Sequence, residues 1–514
     1  MKELAYTTNL SYESEHKLKT NTSGWIKYSI LGLAAVIPVI VFAFAPSRCW
    51  GAAIFAYINC LLYVVFAVHF ISKGTLGYLI PVISPVWMIV GSCVGIIYFA
   101  VFYPDAIYST LAGDVSYFAG GIRYQLAIFL FLLVYFVSMN RFLRNESVIP
   151  QHPLMVSKYI GYVSLALSVL ITCFHIFAVI VHGSEVGMFQ SGEGGWGYRL
   201  HYYFKSLWFV VGVVFLRLSR VVKMIIMVFL TIVLAFYSLL SSRTPAVLPI
   251  ASMFCGLFLF SEMKGRTKII LLLVCVAALP WFVLIGNTVR ILRGVSGGKY
   301  EDIGYRLAAF KEWRYVAERL PVGINFFGRM FFVSGNIIVA YTPSQYPYKH
   351  FSPIECAKET VVSMLPGPVQ KFTGIVLDMT KTQYTGSWVL RDYGIYVSET
   401  TSTEVSMIGT LWMLGGYIPV LIGGFLLAMI HSFVAWIIRR TWVQNPDKGI
   451  FYFSVFFYGI LWSFNWDLIV LWRTTILQFV FAYFGFKLIS PFLRIGYAAM
   501  EEQYKESTLG RYRT

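Results

Sequence analysis

The sequence has little charge and lacks several motifs that mark enzymes with metal or nucleotide sites. Only 13% of its 514 residues are charged, against roughly 25% in a typical soluble domain. It contains no HExxH or CxxC pair, no Walker A loop and no DxD pair, and its seven cysteines show no disulfide framework. The low charge argues against a series of soluble domains. Because these motifs are missing, we expect neither a catalytic metal nor another cofactor.

Long apolar runs are what the sequence has instead. Hydrophobic residues make up 58% of the chain and aromatic residues 18%, and a helix needs about 20 apolar residues to cross a bilayer. The runs predict twelve spans, at 27–46, 50–71, 76–102, 124–140, 159–181, 203–218, 222–240, 245–261, 269–286, 406–438, 449–465 and 471–490. We therefore expect an all-α polytopic membrane protein with about twelve transmembrane helices. The run at 406–438 is long enough to be strongly tilted or broken.

The basic residues give the expected orientation. With the N-terminus inside, 22 Lys and Arg fall on cytoplasmic segments, six in short external loops and 13 in residues 287–405. This distribution agrees with the positive-inside bias, and it makes both termini cytoplasmic. We interpret the net charge of +17 as a topology signal and not as a nucleic-acid site.

This orientation divides the chain into four parts. Residues 1–286 form a bundle of about nine spans, 287–405 a large external loop, 406–490 a second bundle of about three spans, and 491–514 a cytoplasmic tail. Within the loop, Tyr305–Leu320 has apolar residues at helical spacing with basic residues between them. This pattern predicts an amphipathic helix that lies at the membrane surface.

Arginines at the membrane edge are candidate functional residues, because ionisable groups are costly there. Arg243 lies at the external end of a span, Arg290 and Arg293 directly follow another span, and Lys299 comes next in a glycine-rich stretch. Guanidinium groups bind phosphate oxygens through paired hydrogen bonds. These residues are therefore a candidate diphosphate site; the alternative is that they reach lipid phosphates at the interface.

Three stretches carry a family resemblance. Ser241–Pro245 places Ser-Arg at the external end of a span, Ser363–Lys371 is a Pro-containing loop segment followed by Lys, and Ser402–Gly423 is a Glu- and Gly-containing entry into the span after the large loop. In these stretches, and in its many spans with one dominant external loop, the chain resembles the bacterial oligosaccharide repeat-unit polymerases, the Wzy-type O-antigen and exopolysaccharide polymerases.

The resemblance implies a metal-independent glycosyltransferase of the bacterial inner membrane. Such an enzyme transfers a growing glycan from undecaprenyl diphosphate to a newly delivered lipid-linked repeat unit, and so builds O-antigen, capsule or exopolysaccharide on the external face. Its partners would be the lipid-linked oligosaccharide, membrane lipid, and possible chain-length regulator and flippase proteins of the same pathway; no nucleic acid is expected.

The reaction needs cations for the departing diphosphate and a base for the acceptor hydroxyl. Arg391 joins the four basic residues above as a diphosphate contact. Glu404 is the first candidate for the base, Asp392 the second and His201 the third. Aromatic residues of the loop are candidates for stacking on sugar rings, with membrane-interface anchoring as the alternative; they are Trp313, Trp388 and Tyr393.

Two other classes stay open at this point. An O-antigen-type ligase uses similar arginines but typically a His near the start of the span after the large loop, and Ser402–Ser406 contains none. A transporter or lipid flippase often shows internal duplication and charges at mid-membrane, whereas here the charges gather at the external edge and no repeat is visible. Polymerase is therefore the favoured prediction.

The topology is testable with fusion reporters. A reporter fused after Lys268 is expected to read as cytoplasmic, and one fused near Gly367 as external, in a paired alkaline phosphatase and fluorescent-protein assay. The same sidedness at both positions would contradict the assignment of surfaces.

Overall fold

The computed structural model describes residues 36–73, 76–102, 117–144, 156–182, 200–201, 203–239, 243–260, 406–464 and 468–511, together with the single residues Thr267, Ile354, Lys358, Val362 and Phe372. Apart from short turns these residues are helical, and no strand occurs among them. The fold of the described residues is therefore all-α.

The helices of the described residues are labelled here in chain order. They are α1 (36–44), α2 (Ser47–Ile71), α3 (Leu76–Phe102), α4 (Tyr117–Leu143), α5 (Lys158–His182), α6 (Lys205–Arg217), α7 (Arg220–Leu239), α8 (Arg243–Phe260), α9 (Met407–Gly415), α10 (Tyr417–Gln444), α11 (Pro446–Trp462) and α12 (Leu468–Arg511). Two of them are irregular. α3 contains a turn at Ser84 and a π-helical segment at Ile89–Val94, and α6 has 3₁₀ turns at Lys205–Leu207 and Phe215–Arg217.

Seven helices among the described residues are long and apolar enough to cross a membrane: α2, α3, α4, α5, α7, α10 and the central part of α12. The prediction of an all-α multi-pass membrane protein is thus confirmed, but the count of twelve spans is not supported. The predicted spans at 203–218, 245–261 and 449–465 form the shorter helices α6, α8 and α11. The first predicted span overlaps only α1, and the span at 269–286 lies outside the described residues.

One end of the bundle is rich in basic residues. At this end the Ser157 N–H donates to Asp447 Oδ1 (2.7 Å) and Arg217 Nη1 donates to the Val156 carbonyl (2.7 Å). These bonds bring together the start of α5, the α6–α7 turn and the α10–α11 turn. We call it the basic end, and its Lys and Arg residues are Lys158, Arg217, Arg220, Lys223, Arg439, Arg440 and Lys448.

The long apolar run predicted at 406–438 is broken, as its length indicated. The chain turns at Gly416, whose φ of 71° is a conformation that favours glycine, and α9 and α10 form a hairpin around it. The Met407 N–H, at the start of α9, donates to the Phe464 carbonyl (3.2 Å). Phe464 in turn packs against Phe131 and Tyr135, at ring-centroid distances of 5.4 and 5.5 Å. Because those two residues lie near the middle of α4, α9 begins inside the bundle.

Glycines allow α6 and α8 to touch backbone to backbone. A Cβ added at Gly212 would overlap the Met253 carbonyl, and one added at Gly256 would overlap the Phe209 carbonyl. Without a hydrophobic drive between helices in lipid, such close approach is a main source of helix association. The two glycines therefore hold α8 against the helix that carries Lys205.

Gly212→Ala is expected to destabilise the protein by about 1–3 kcal/mol, because the methyl group meets fixed backbone and forces the helices apart. Gly51→Ala is the matched control, since its methyl group would meet only the flexible end of the Ile122 side chain. Thermal unfolding of both variants in detergent measures the difference. Equal melting temperatures would contradict the role given to the α6–α8 contact.

Candidate functional site

A buried polar cluster lies where α5, α7 and α11 meet the residues at the start of α6. It consists of His175, His201, Lys205, Tyr237 and Tyr458, and we call it the inner cluster. Each of these side chains is 8% exposed or less. Polar and ionisable groups inside an apolar bundle are costly and usually mark a functional position, so the inner cluster is the candidate site.

Two imidazole rings form the centre of the cluster. The rings of His175 and His201 are stacked, with centroids 3.9 Å apart and planes inclined by 13°. Nδ1 of His175 shares a hydrogen bond with the Tyr237 hydroxyl. Nε2 of His201 is buried and has no hydrogen-bond partner among the described residues. Because two positive charges at this separation repel strongly in a buried site, we infer that the pair carries at most one charge.

A lysine brings a cation into the same cluster. Nζ of Lys205 lies 3.5 Å from the centre of the Tyr458 ring, which is a cation–π contact. The charge of Lys205 also acts on the imidazoles of His175 and His201. The cluster thus combines a cation, two proton acceptors and two phenols.

The length of α6 gives the depth of the cluster. The helix runs from Lys205 to Arg217 in segments of three, seven and three residues, a length of about 22 Å. Arg217 lies at the basic end, and the hydrocarbon core is about 30 Å thick. Lys205 therefore lies within the thickness of the membrane, towards the end opposite the basic end.

The described part of the bundle is nearly free of acidic residues. Between residues 36 and 494 the described residues include one acidic side chain, Asp447. It lies at the basic end, where it accepts the hydrogen bond from Ser157. The described residues near the inner cluster therefore provide positive charge and imidazole groups but no carboxylate.

Arg243 begins α8 four residues after α7 ends at Leu239, and the structure describes its backbone alone. Four residues span at most about 14 Å. The start of α8 thus lies within this distance of the end of α7, two residues after Tyr237 of the inner cluster. Of the residues proposed from the sequence, His201 is the one that the structure places within the cluster.

The other predicted site residues lie outside the described residues, and their roles stay predictions. They are Arg290, Arg293, Lys299, Trp313, Trp388, Arg391, Asp392, Tyr393 and Glu404. The chain after this segment is described again from Ser406, two residues beyond Glu404. Ser406 Oγ is 2.7 Å from the Tyr124 hydroxyl and accepts from the Gly409 N–H, which caps α9. The long segment thus leads directly into the bundle.

The sequence analysis missed Lys205, His175 and Tyr237. Lys205 falls inside the predicted span at 203–218, and an ionisable residue inside an apolar run is itself a functional signal. His175 falls inside the span at 159–181 in the same way. No local pattern in the sequence indicated that these residues lie close together, because their proximity depends on how α5, α6 and α7 pack.

Comparison with known proteins gave no match to any family model, curated protein or solved structure. Among the residues that the structure describes, no group of three or more His, Cys, Asp or Glu is arranged to hold a metal ion. The argument for function therefore rests on the chain's own residues.

The cation–π contact is testable by a double-mutant cycle. Lys205→Met and Tyr458→Leu, alone and together, are expected to show a coupling of about 1–2 kcal/mol in the free energy of unfolding, because the contact is buried and desolvated. Chemical denaturation in detergent measures it. Additive effects of the two changes would mean that the ammonium and the ring do not interact.

Proposed function

We propose that this protein polymerises undecaprenyl-diphosphate-linked oligosaccharide repeat units into a surface polysaccharide. The observation that carries the proposal is the inner cluster, which holds a lysine and two histidines buried inside the apolar bundle. A lipid-linked diphosphate is an anion tied to the membrane, and the sugar transfer needs a proton acceptor beside it. The cluster and the nearby start of α8 at Arg243 offer both kinds of group.

The residues of the external segment complete the proposal. Positive charge preorganised near the diphosphate stabilises the charge that develops as the glycosidic bond breaks, and we assign this role to Arg243 with Arg290, Arg293, Lys299 and Arg391. The base is drawn from Glu404, Asp392 and His201. The sugar-stacking residues are Trp313, Trp388 and Tyr393.

The orientation in the proposal follows from the basic end. If the basic end is cytoplasmic, as the positive-inside bias favours, the inner cluster lies towards the external face. The lipid-linked substrate then meets it from the external leaflet of a bacterial inner membrane.

A transporter or flippase is the second candidate. The re-entrant helix α9 and the irregular segments of α3 and α6 favour it, since interrupted helices often line transport pathways. A ligase is the third candidate and uses the same donor with a different acceptor. The three differ in the bond that forms: a polymerase joins two lipid-linked glycans, a ligase needs a separate acceptor, and a flippase forms no bond.

The deciding experiment is reconstitution in proteoliposomes with a purified lipid-linked repeat unit as the only substrate. We expect a ladder of glycans that differ by one repeat unit, resolved on a gel. Movement of the substrate across the bilayer without a ladder would support the flippase. A product that forms only after a second acceptor is added would support the ligase.

Arg243→Ala is expected to lower the rate of ladder formation about a hundredfold, because it removes a charge-assisted contact worth roughly 3 kcal/mol in the transition state. Arg243→Lys keeps the charge but loses the paired hydrogen bonds, so we expect a strong loss there too. Arg220→Ala is the control, since Arg220 is an exposed arginine of the basic end. Ladders of normal length from Arg243→Ala would remove this residue from the mechanism.

A further inference from the structure

The inner cluster contains an imidazole nitrogen without a described hydrogen-bond partner. His201 is 3% exposed, and its Nε2 is buried with no hydrogen-bond partner among the described residues. Buried polar atoms are nearly always hydrogen-bonded, and an exception calls for an explanation such as a catalytic role. The ring is also held in place, because His175 covers one of its faces at 3.9 Å.

We propose that His201 is the proton acceptor of the transfer reaction, in place of a carboxylate from the external segment. This inference rests on the proposed function and assigns its base. His201 is the catalytic residue, while His175 and Tyr237 are positioning residues. Tyr237 holds His175 in place through its hydrogen bond to Nδ1 of that ring. His175 in turn holds the imidazole of His201 by stacking on it.

The proton transfer balances the reaction without any further reagent. The hydroxyl oxygen of the acceptor sugar forms a bond to the anomeric carbon of the donor glycan. The bond between that carbon and the diphosphate oxygen breaks, and its electron pair leaves on the diphosphate. The hydroxyl proton moves to Nε2 of His201, which becomes an imidazolium. Release of this proton to water restores the neutral ring.

The groups around His201 suit a state in which only one imidazole of the stacked pair is protonated. In this proposal the Tyr237 hydroxyl donates to Nδ1 of His175, which keeps that ring neutral with its own proton on Nε2. A neutral His175 tolerates an imidazolium stacked on it, whereas a second charge would repel it. The positive charge of Lys205 repels a positive charge on His201. The diphosphate of the bound substrate offsets that repulsion, so the base becomes effective when the substrate is present.

The titratable groups that face His201 are known for each described element packed around it. His175 faces it from α5, Lys205 from the start of α6, and Tyr237 from α7 at a ring-centroid distance of 6.4 Å. Tyr458 of α11 contacts Lys205. Of these groups, the imidazole of His201 is the one that accepts a proton in the proposed step.

A second buried histidine provides a matched control. Nδ1 of His431 is bonded to the Tyr135 hydroxyl (2.7 Å), which also pairs with Ser84 Oγ (2.9 Å), and Nε2 of His431 is likewise buried without a described partner. This pair joins α3, α4 and α10 away from the inner cluster and has no assigned part in the reaction. His431→Gln thus tests what the loss of a buried tyrosine-bonded histidine does by itself.

The experiment compares ladder formation by wild type, His201→Gln, His201→Ala, Tyr237→Phe and His431→Gln in proteoliposomes. We expect His201→Gln and His201→Ala to lose about a hundredfold to ten-thousandfold in rate, Tyr237→Phe to lose less, and His431→Gln to stay near wild type. Added imidazole is expected to restore part of the activity of His201→Ala. The fall in wild-type rate towards acid pH is expected to vanish in both His201 variants, because it reports protonation of that ring.

Each outcome decides one of the two proposals. Wild type that makes no ladder overturns the proposed function, and the role of His201 with it. An active wild type with unimpaired His201 variants, or variants that keep the acid limb of the pH profile, overturns the role of His201 alone. If both His201 variants fail to fold, as judged by size-exclusion chromatography, Tyr237→Phe decides: an unchanged rate and pH profile in that variant contradicts the inference.

Discussion

The structure depends on one constraint, that every backbone N–H and C=O group within hydrocarbon must have a hydrogen-bond partner inside the protein. Regular helices meet it by themselves, and irregular backbone needs a polar side chain beside it. In the π-helical segment of α3, the Ser92 carbonyl accepts from Gln125 Nε2 (2.9 Å), and the Gln125 carbonyl accepts from Asn59 Nδ2 (3.0 Å). At the start of α9, Ser406 caps the helix. The π-helical segment of α3 and the start of α9 are therefore each matched by a buried polar residue.

The same constraint applies to the polar side chains of the inner cluster, which must also find their partners inside the protein. Its described contacts run between side chains of different helices, from His175 to Tyr237, from His175 to His201 and from Lys205 to Tyr458. A buried cation at this depth costs free energy that an apolar residue would not. Such a group is retained where it serves a ligand or a reaction, and this is the physical reason to look for function here and not at the exposed arginines of the basic end.

Local signals in the sequence predicted the all-α multi-pass class and a long run at 406–438 that is strongly tilted or broken, because apolar length acts within one segment. They did not predict the backbone-to-backbone contact of α6 and α8 at Gly212 and Gly256, because that contact depends on how the helices pack. Arg243 stood out as a charge at the edge of a span. His175 and His201 did not stand out together, because their stacking requires α5 and the start of α6 to lie side by side. Most other predicted site residues belong to the segment before Ser406.

The distribution of charge also bears on the choice of base in the proposed reaction. A diphosphate brings negative charge, and a carboxylate placed beside it would be repelled by like charge, which favours its protonation before the reaction begins. A neutral imidazole adds no negative charge before the reaction and gains a positive one during it, which the departing diphosphate stabilises. Among the described residues between 36 and 494, the one acidic side chain, Asp447, lies at the basic end and accepts from the Ser157 N–H. With Lys205 and two imidazoles towards the other end, the proposed reaction would bring an anion and an uncharged base together in the inner cluster.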